Sequence, residues 1–345
     1  MDQVRWGIIG CGAVTEVKSG PALQYAQGSR LVAVMRRNVE LAEDYARRHG
    51  VPRWYGDAAA LIDDEEVDAI YIATPPGSHL EWALAACAAG KPAYVEKPLA
   101  RNYTETVKMA DAFRQARLPL FAAYYRRALP RFLKVKELVD GGKIGTLTSV
   151  TYRQTAPEHR NPRSGDLPWR IDAAYSGGGL FLDVGSHTLD LLDFLVGPLT
   201  GVQGRAVNLA ADHAVEDVVI MTFLTAKGVP GSALWHFAGG ATEDRLEITG
   251  TDGRITCSVF GDEAVLLSTR RGEESFPFKN PYHIQQPLIQ TLVDELQGTG
   301  KCPSTAESAG RTALVMDTVL AEYYSGRDDE FWKRPESWKR RPGVG

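Results

Sequence analysis

The segment Val4-Arg5-Trp6-Gly7-Ile8-Ile9-Gly10-Cys11-Gly12-Ala13-Val14-Thr15 sets the strongest limit on how this chain folds. An apolar run of strand length passes directly into Gly10-x-Gly12, and a helix-forming stretch follows. Gly10 permits a tight turn, and Gly12 lets the backbone approach a pyrophosphate resting on the helix N-terminus. Thr15 stands where a third glycine would complete the fingerprint, so the motif draws its weight from context. Through residue 125 short apolar runs alternate with helical patterns, the rhythm of repeated βαβ units and a doubly wound parallel sheet. Strands are expected at 4–9, 31–35, 69–74, 93–96 and 118–123, and helices at 39–49, 78–89 and 103–116, with Gly50 and Gly90 as C-caps.

After Tyr125 the rhythm changes. A helix at 129–139, a strand at 146–154, a polar loop at 156–169 and the run Gly177-Gly178-Gly179 lead into a helix through residue 195. Strand character then recurs around Val202, Val218, Ala233, Leu246, Ile255 and Val265 on short turns, which implies an antiparallel sheet. Helices at 283–297 and 304–324 and a polar tail close the chain. The division expected is a dinucleotide-binding domain at 1–125 and a substrate-binding and oligomerisation domain at 126–345. At 345 residues the length suits about two domains.

A formal charge of −4 gives no field for gripping nucleic acid or an anionic membrane. Cys11, Cys87, Cys257 and Cys302 form no C-x-x-C pair, so neither a zinc site nor a disulfide framework is expected. Scattered thiols and the lack of a secretory pattern point to a cytoplasmic protein.

Where a fold of this type that binds NAD usually carries an acid for the ribose hydroxyls, the sequence reads Met35-Arg36-Arg37-Asn38. Two guanidiniums suit a 2′-phosphate, so NADP(H) is expected over NAD(H). Glu96-Lys97-Pro98 follows the fourth expected strand, at the end of the sheet where such folds place ligands. A partly buried lysine there can hydrogen-bond a substrate oxygen and join proton transfer, the alternative being a surface charge. Thr74 and Pro75 border the same crevice, with His79 either beside the cofactor or bonded at a helix start. In Asp183-x-Gly-x-His187, a helical spacing of four sets carboxylate and imidazole on one face, where the acid can hold the ring in one tautomer. The alternative is a helix cap and a satisfied core histidine.

Together these motifs resemble the glucose–fructose oxidoreductase/inositol dehydrogenase/MocA family. Arg126-Arg127 before a helix ending in Gly142-Lys143-Ile144-Gly145, and Trp169-Arg170 before the triple glycine, add to the resemblance. It implies a Rossmann domain followed by an α+β domain with a large mixed, mostly antiparallel sheet that forms homodimers or homotetramers. It also implies an NAD(P)-dependent oxidoreductase acting on a sugar, cyclitol or related polyhydroxylated substrate. Lys97 would orient the reacting oxygen, His187 would be the acid/base, and Asp183 would position substrate or His187. Cofactor contacts would come from Gly10, Cys11, Gly12, Ala13, Val14, Arg36, Arg37, Thr74, Pro75, His79, Glu96 and Lys97. Tyr125, Arg127, Trp169, Arg170, Tyr175, Tyr282 and His283 fall in segments that would meet substrate, since aromatic faces with Arg and His donors suit a polyhydroxylated ring. A redox-neutral NAD-dependent glycoside-cleaving enzyme and a non-catalytic dinucleotide sensor are the competing readings. Arg36-Arg37 weighs against the first, and Lys97, Asp183 and His187 against the second.

Overall fold

Burial on both faces is what a strand in a covered parallel sheet requires, and the run Val4–Ile9 has it: Val4, Trp6, Ile8 and Ile9 are all buried in a computed structural model that describes residues 2–156, 169–210 and 212–340. The chain forms two compact units. The first takes residues 1–100 and 105–129 together with 281–310, a late segment that a division at residue 125 assigns to the second domain.

In the first unit six parallel strands, β1 (Val4–Ile9), β2 (Ser29–Met35), β3 (Arg53–Tyr55), β4 (Ala69–Ile72), β5 (Ala93–Val95) and β6 (Leu120–Ala122), pair in the order β3-β2-β1-β4-β5-β6. The order reverses direction at β1, so β1 and β4 flank a topological switch point, where ligands of open α/β sheets bind beyond the carboxyl ends. Helix Val39–His49 has the predicted bounds: the Asn38 side chain accepts from Leu41 N at 2.9 Å, and Gly50 ends it at φ 65°. The late segment completes the sheet edge, where Ser304 Oγ donates to the Ala122 carbonyl at 2.7 Å and Thr305 bridges Phe121.

The second unit takes residues 101–104, 130–280 and 311–345. Its sheet has eight strands, β7 (Leu147–Thr155), β8 (Leu199–Val207), β9 (Val218–Thr225), β10 (Pro230–His236), β11 (Glu243–Gly250), β12 (Gly253–Cys257), β13 (Val265–Thr269) and β14 (Gly272–Phe276). They run in the order β14-β13-β12-β11-β7-β10-β9-β8, with β7 and β10 parallel and every other neighbour antiparallel. Side chains alternate as a one-faced sheet demands: Val219, Met221 and Phe223 are buried, whereas Ile220 and Leu224 are exposed. Phe181 packs edge-on against Trp235 of β10 at 4.8 Å, which seats the segment carrying Asp183 and His187 on the buried face.

Several elements differ from expectation. β3 and β14 were not anticipated, because none of the three residues of one is fully buried and the other, Gly-Glu-Glu-Ser-Phe, is apolar only at its last residue. The helix expected through residue 195 is a π-helical turn, Phe181–Gly185, continuing into the α-helix Ser186–Val196. The tail folds back, with Phe331 fully buried and Trp338 Nε1 donating to its carbonyl. Residues 157–168 of the expected polar loop lie outside the described residues. The four cysteines are free thiols, and no helix among the described residues is long and apolar enough to cross a membrane.

Candidate active site

Each unit carries its own part of the candidate machinery. In the first, the turn after β1 has the geometry a pyrophosphate cradle needs. Gly10 has φ 90°, and a Cβ there would stand 2.7 Å from Thr74 Cγ2 and 3.1 Å from Thr74 N, so only glycine lets the ends of β1 and β4 meet. Both Gly10 N and Cys11 N donate to the Met35 carbonyl, at 2.9 and 3.1 Å, which ties the turn to the end of β2. At Gly12 a Cβ would meet nothing closer than the Gly10 carbonyl at 3.8 Å, leaving the approach open. Ala13 and Val14 begin the short helix Ala13–Val17, whose first N–H groups lack intrahelical acceptors. Thr15, in the third-glycine position, is fully buried, and its hydroxyl donates to the Gly12 carbonyl at 2.8 Å. The substitution is thus absorbed within the turn.

Cys11 contributes only backbone, since its thiol is buried and burial pushes its pKa up to about 11 against the pull of Arg36. Arg36 and Arg37 are exposed and have no acidic partner among the described residues. Asn38, next along, uses its side chain on the helix cap. A dinucleotide with a phosphate at this end therefore meets two uncommitted guanidiniums and no carboxylate. The residues present fit such a group.

Beyond β5, Glu96 is 8% exposed and its carboxyl group is fully engaged. Its Oε1 accepts from Tyr71 Oη at 2.8 Å and Gln285 Nε2 at 2.7 Å, and its Oε2 accepts from Lys97 N at 3.2 Å. Gln285 Oε1 in turn accepts from Tyr94 Oη at 2.7 Å, while Tyr71 Oη also lies 3.0 Å from Ser19 Oγ. Burial and the neighbouring Glu96 hold both tyrosines protonated far above their usual range. The Glu96 carboxylate thus anchors the backbone of Lys97. Lys97 itself is half-buried, and the peptide bond to Pro98 is cis.

His79 takes the helix-start alternative as far as its hydrogen bonds go. It is fully buried, with Nε2 2.7 Å from the Thr74 carbonyl and Nδ1 3.2 Å from the carbonyls of Pro98 and Leu99. Burial depresses its pKa, and its work is to tie the loop after β4 to the loop after β5. Thr74 and Pro75 are half-buried beside it, and Thr74 Oγ1 accepts from Ser78 Oγ at 2.8 Å.

Three of the expected substrate contacts are committed inside this unit. Arg127 is 4% exposed and donates to the Pro303 carbonyl at 3.2 Å, and Tyr125, 8% exposed, lies under the Arg126 guanidinium. His283 Nδ1 meets the Val17 carbonyl at 2.6 Å, and its ring stacks on Tyr25 at 5.2 Å. Tyr282 contacts His283 edge-on and is otherwise exposed.

In the second unit the structure gathers Trp169, Arg170 and Asp183. Arg170 Nε donates to Asp183 Oδ2 at 3.0 Å while its guanidinium lies 4.4 Å from the Trp169 ring centroid. Tyr175 projects from the helix Ala173–Ser176 and is exposed. His187, second residue of its helix, is buried with its ring edge-on to Phe260. Asp183 lies in the π-turn, so the four-residue α-helical spacing to His187 crosses a change of helix type. Sequence reasoning missed Tyr71, Gln285, Ser19 and Phe260, whose partners lie far along the chain. An aromatic on each of two adjacent buried strands beside the Glu96 strand end was the available signal.

Comparison with known proteins agrees with this geometry. Residues 4–124 match the model of an oxidoreductase family with an NAD-binding Rossmann fold, and residues 132–256 match the GFO/IDH/MocA C-terminal domain. The chain is 37% identical over 319 residues to "Oxidoreductase P35" of Formosa agariphila, covering 91% of this chain and 98% of that protein. It is 33% identical over 256 residues to a levoglucosan dehydrogenase of Pseudarthrobacter phenanthrenivorans, covering 70% and 65% of the two chains. Among solved structures, a levoglucosan dehydrogenase in complex with NADH and levoglucosan has the same fold, with a TM-score of 0.82 at 23% identity over 92% of this chain and 96% of that one.

Proposed function

Since the chain belongs to the GFO/IDH/MocA oxidoreductase family, we propose that it interconverts a secondary alcohol and a ketone on a sugar, a cyclitol or a related polyhydroxylated substrate. The observation that carries this reading is the anchoring of Lys97. Glu96, fixed by Tyr71 and Gln285, holds the Lys97 backbone at the carboxyl end of the parallel sheet, where open α/β sheets take their ligands. The nicotinamide supplies the hydride acceptor or donor when bound. Lys97 Nζ orients the reacting oxygen, His187 takes or returns its proton, and Asp183 orients substrate hydroxyls together with Arg170. Trp169 and Tyr175 offer the apolar faces that sugar rings stack against. The levoglucosan-oxidising relative supports the substrate class.

Arg36 and Arg37 support NADP(H) as the preferred cofactor over NAD(H). For the assembly, the exposed sheet face carrying Ile220, Leu224 and Leu266 supports pairing with a second copy. Light scattering of the purified protein tests that pairing, and a monomeric mass refutes it.

The decisive experiment offers NADP and NAD, oxidised and reduced, against a panel of sugars, cyclitols and their keto forms while nicotinamide absorbance is followed. Turnover on a panel member that His187→Ala or Lys97→Ala largely abolishes, with dinucleotide affinity retained, is the expected result. Tight dinucleotide binding with no absorbance change on any member would overturn it in favour of a redox-neutral enzyme or a sensor.

A further inference from the structure

We propose that Arg327, in the C-terminal tail, is a positioning residue for the segment that carries Asp183 and His187. Its guanidinium is buried, the side chain 1% exposed, and each of its nitrogens has a fixed acceptor. Nε donates to Asp317 Oδ1 at 2.7 Å, Nη1 to the Gly177 carbonyl at 2.7 Å and Nη2 to the Arg101 carbonyl at 2.8 Å. Asp317 is held from its other oxygen by Tyr103 N at 2.7 Å, and the guanidinium lies over Phe331 at 4.4 Å and Tyr324 at 5.1 Å.

What Arg327 grips is the start of the glycine run. Gly177 ends the helix Ala173–Ser176 at φ 82°, and a Cβ there would strike the Arg101 backbone, with Arg101 Cα only 2.7 Å away. Two residues on, Gly179 N donates to both oxygens of the buried Glu216 at 3.0 and 3.1 Å, and Tyr324 Oη donates to the same carboxyl group. A Cβ on Gly179 would stand 2.6 Å from the Glu216 carbonyl. The run is therefore clamped at both ends, by Arg327 and by Glu216, immediately before the π-turn that contains Asp183. Tyr324 joins the two clamps, with its hydroxyl on one and its ring beneath the other.

A buried ion pair is weak evidence for stability, because desolvation offsets most of its attraction. What a planar guanidinium adds is direction: its fork fixes two backbone carbonyls and one carboxylate relative to one another, which a lysine cannot reproduce. The site at stake is the proton-transfer pair of the proposed function, and the catalytic part of this inference rests on that reading.

The test compares Arg327→Lys and Arg327→Gln with His187→Ala in the full-length protein. Hydrogen exchange of the peptide spanning residues 177–187 reads the positioning directly and does not depend on activity. The expected result is faster exchange there in both Arg327 variants. Their kcat should fall about 10- to 100-fold, the cost of a roughly 1 Å misplacement. Dinucleotide Kd should stay within about twofold, and methylguanidinium should restore kcat in Arg327→Ala, as expected if the buried guanidinium holds the segment in place. Wild-type exchange and wild-type kcat in either folded Arg327 variant would overturn the proposal. If His187→Ala retains wild-type turnover, the proton-transfer reading fails instead, and the exchange data alone decide the role of Arg327.

Discussion

Replacing Tyr71 by phenylalanine removes a single oxygen from a fully buried position, and a double-variant cycle with Glu96 isolates the hydrogen bond between them. The ring stays, stacked on Tyr94 at 4.8 Å, so no cavity opens and the cost comes from the lost bond to Glu96 at 2.8 Å. A buried hydrogen bond to a carboxyl group contributes about 1–3 kcal/mol, more than a neutral pair at the surface. Taking about 2 kcal/mol and a shift of roughly 2–4 °C per kcal/mol for a unit of this size, Tm should fall by about 4–8 °C. The assay is thermal and urea unfolding of the wild type, Tyr71→Phe, Glu96→Met and the double variant. Ser19, also near the Tyr71 hydroxyl, contributes equally to both arms of the cycle and cancels. Once Glu96 is gone, Tyr71→Phe should cost only a few tenths of a kcal/mol, leaving a coupling energy of about 1–2 kcal/mol. An equal cost in both backgrounds would refute the argument that Tyr71 acts on Glu96, and with it the account of how Lys97 is held.

Gly10→Ala should lose about 2–5 kcal/mol, from strain at positive φ and overlap with Thr74, and should abolish dinucleotide binding in a fluorescence titration. A loss below about 1 kcal/mol would show that the turn can relax. Arg36→Ala combined with Arg37→Ala should weaken NADP binding about 10- to 100-fold while sparing NAD, as expected for lost charge-assisted bonds to a 2′-phosphate. Burial raises the pKa of Glu216, so the folded state resists its ionisation. That cost is absent below the unfolded value of about 4.3 and grows as pH rises toward the folded value. Glu216→Gln should therefore gain urea resistance relative to the wild type between about pH 4 and pH 7.5, and a pH-independent difference would contradict the assignment.

Where local rules govern, the sequence was readable. The helix Val39–His49 falls between a capping Asn38 and a left-handed Gly50, and both signals are carried by the residues themselves. Five of the six strands of the parallel sheet were visible because burial on both faces leaves continuous apolar runs, whereas β3, none of whose three residues is fully buried, was hidden. β14 was not, since it lies at a sheet edge and four of its five residues are exposed, so no apolar pattern is needed there. Nothing in the spacing of Phe181 to Gly185 separates a π-turn from an α-turn, and the face argument for Asp183 and His187 suffered accordingly. The internal bonds of Arg127, His79 and Glu96 were not legible for another reason: residue type announces hydrogen-bonding capacity, but only the fold reveals which backbone carbonyl or distant side chain takes it.

The late segment 281–310 gives the first unit a peculiar place in time. A ribosome that has released residue 129 has made all six of its strands, yet Gln285 does not exist to hold Glu96, nor Ser304 and Thr305 to close the edge at β6. Gln290, which bonds Gln27, and Gln297, which bonds the Asp2 carbonyl, come later still than Gln285. During synthesis the nucleotide half therefore waits, with a raw sheet edge, until residues 281–310 have been made. Severed at residue 125, it would keep that edge permanently and invite strand-to-strand aggregation.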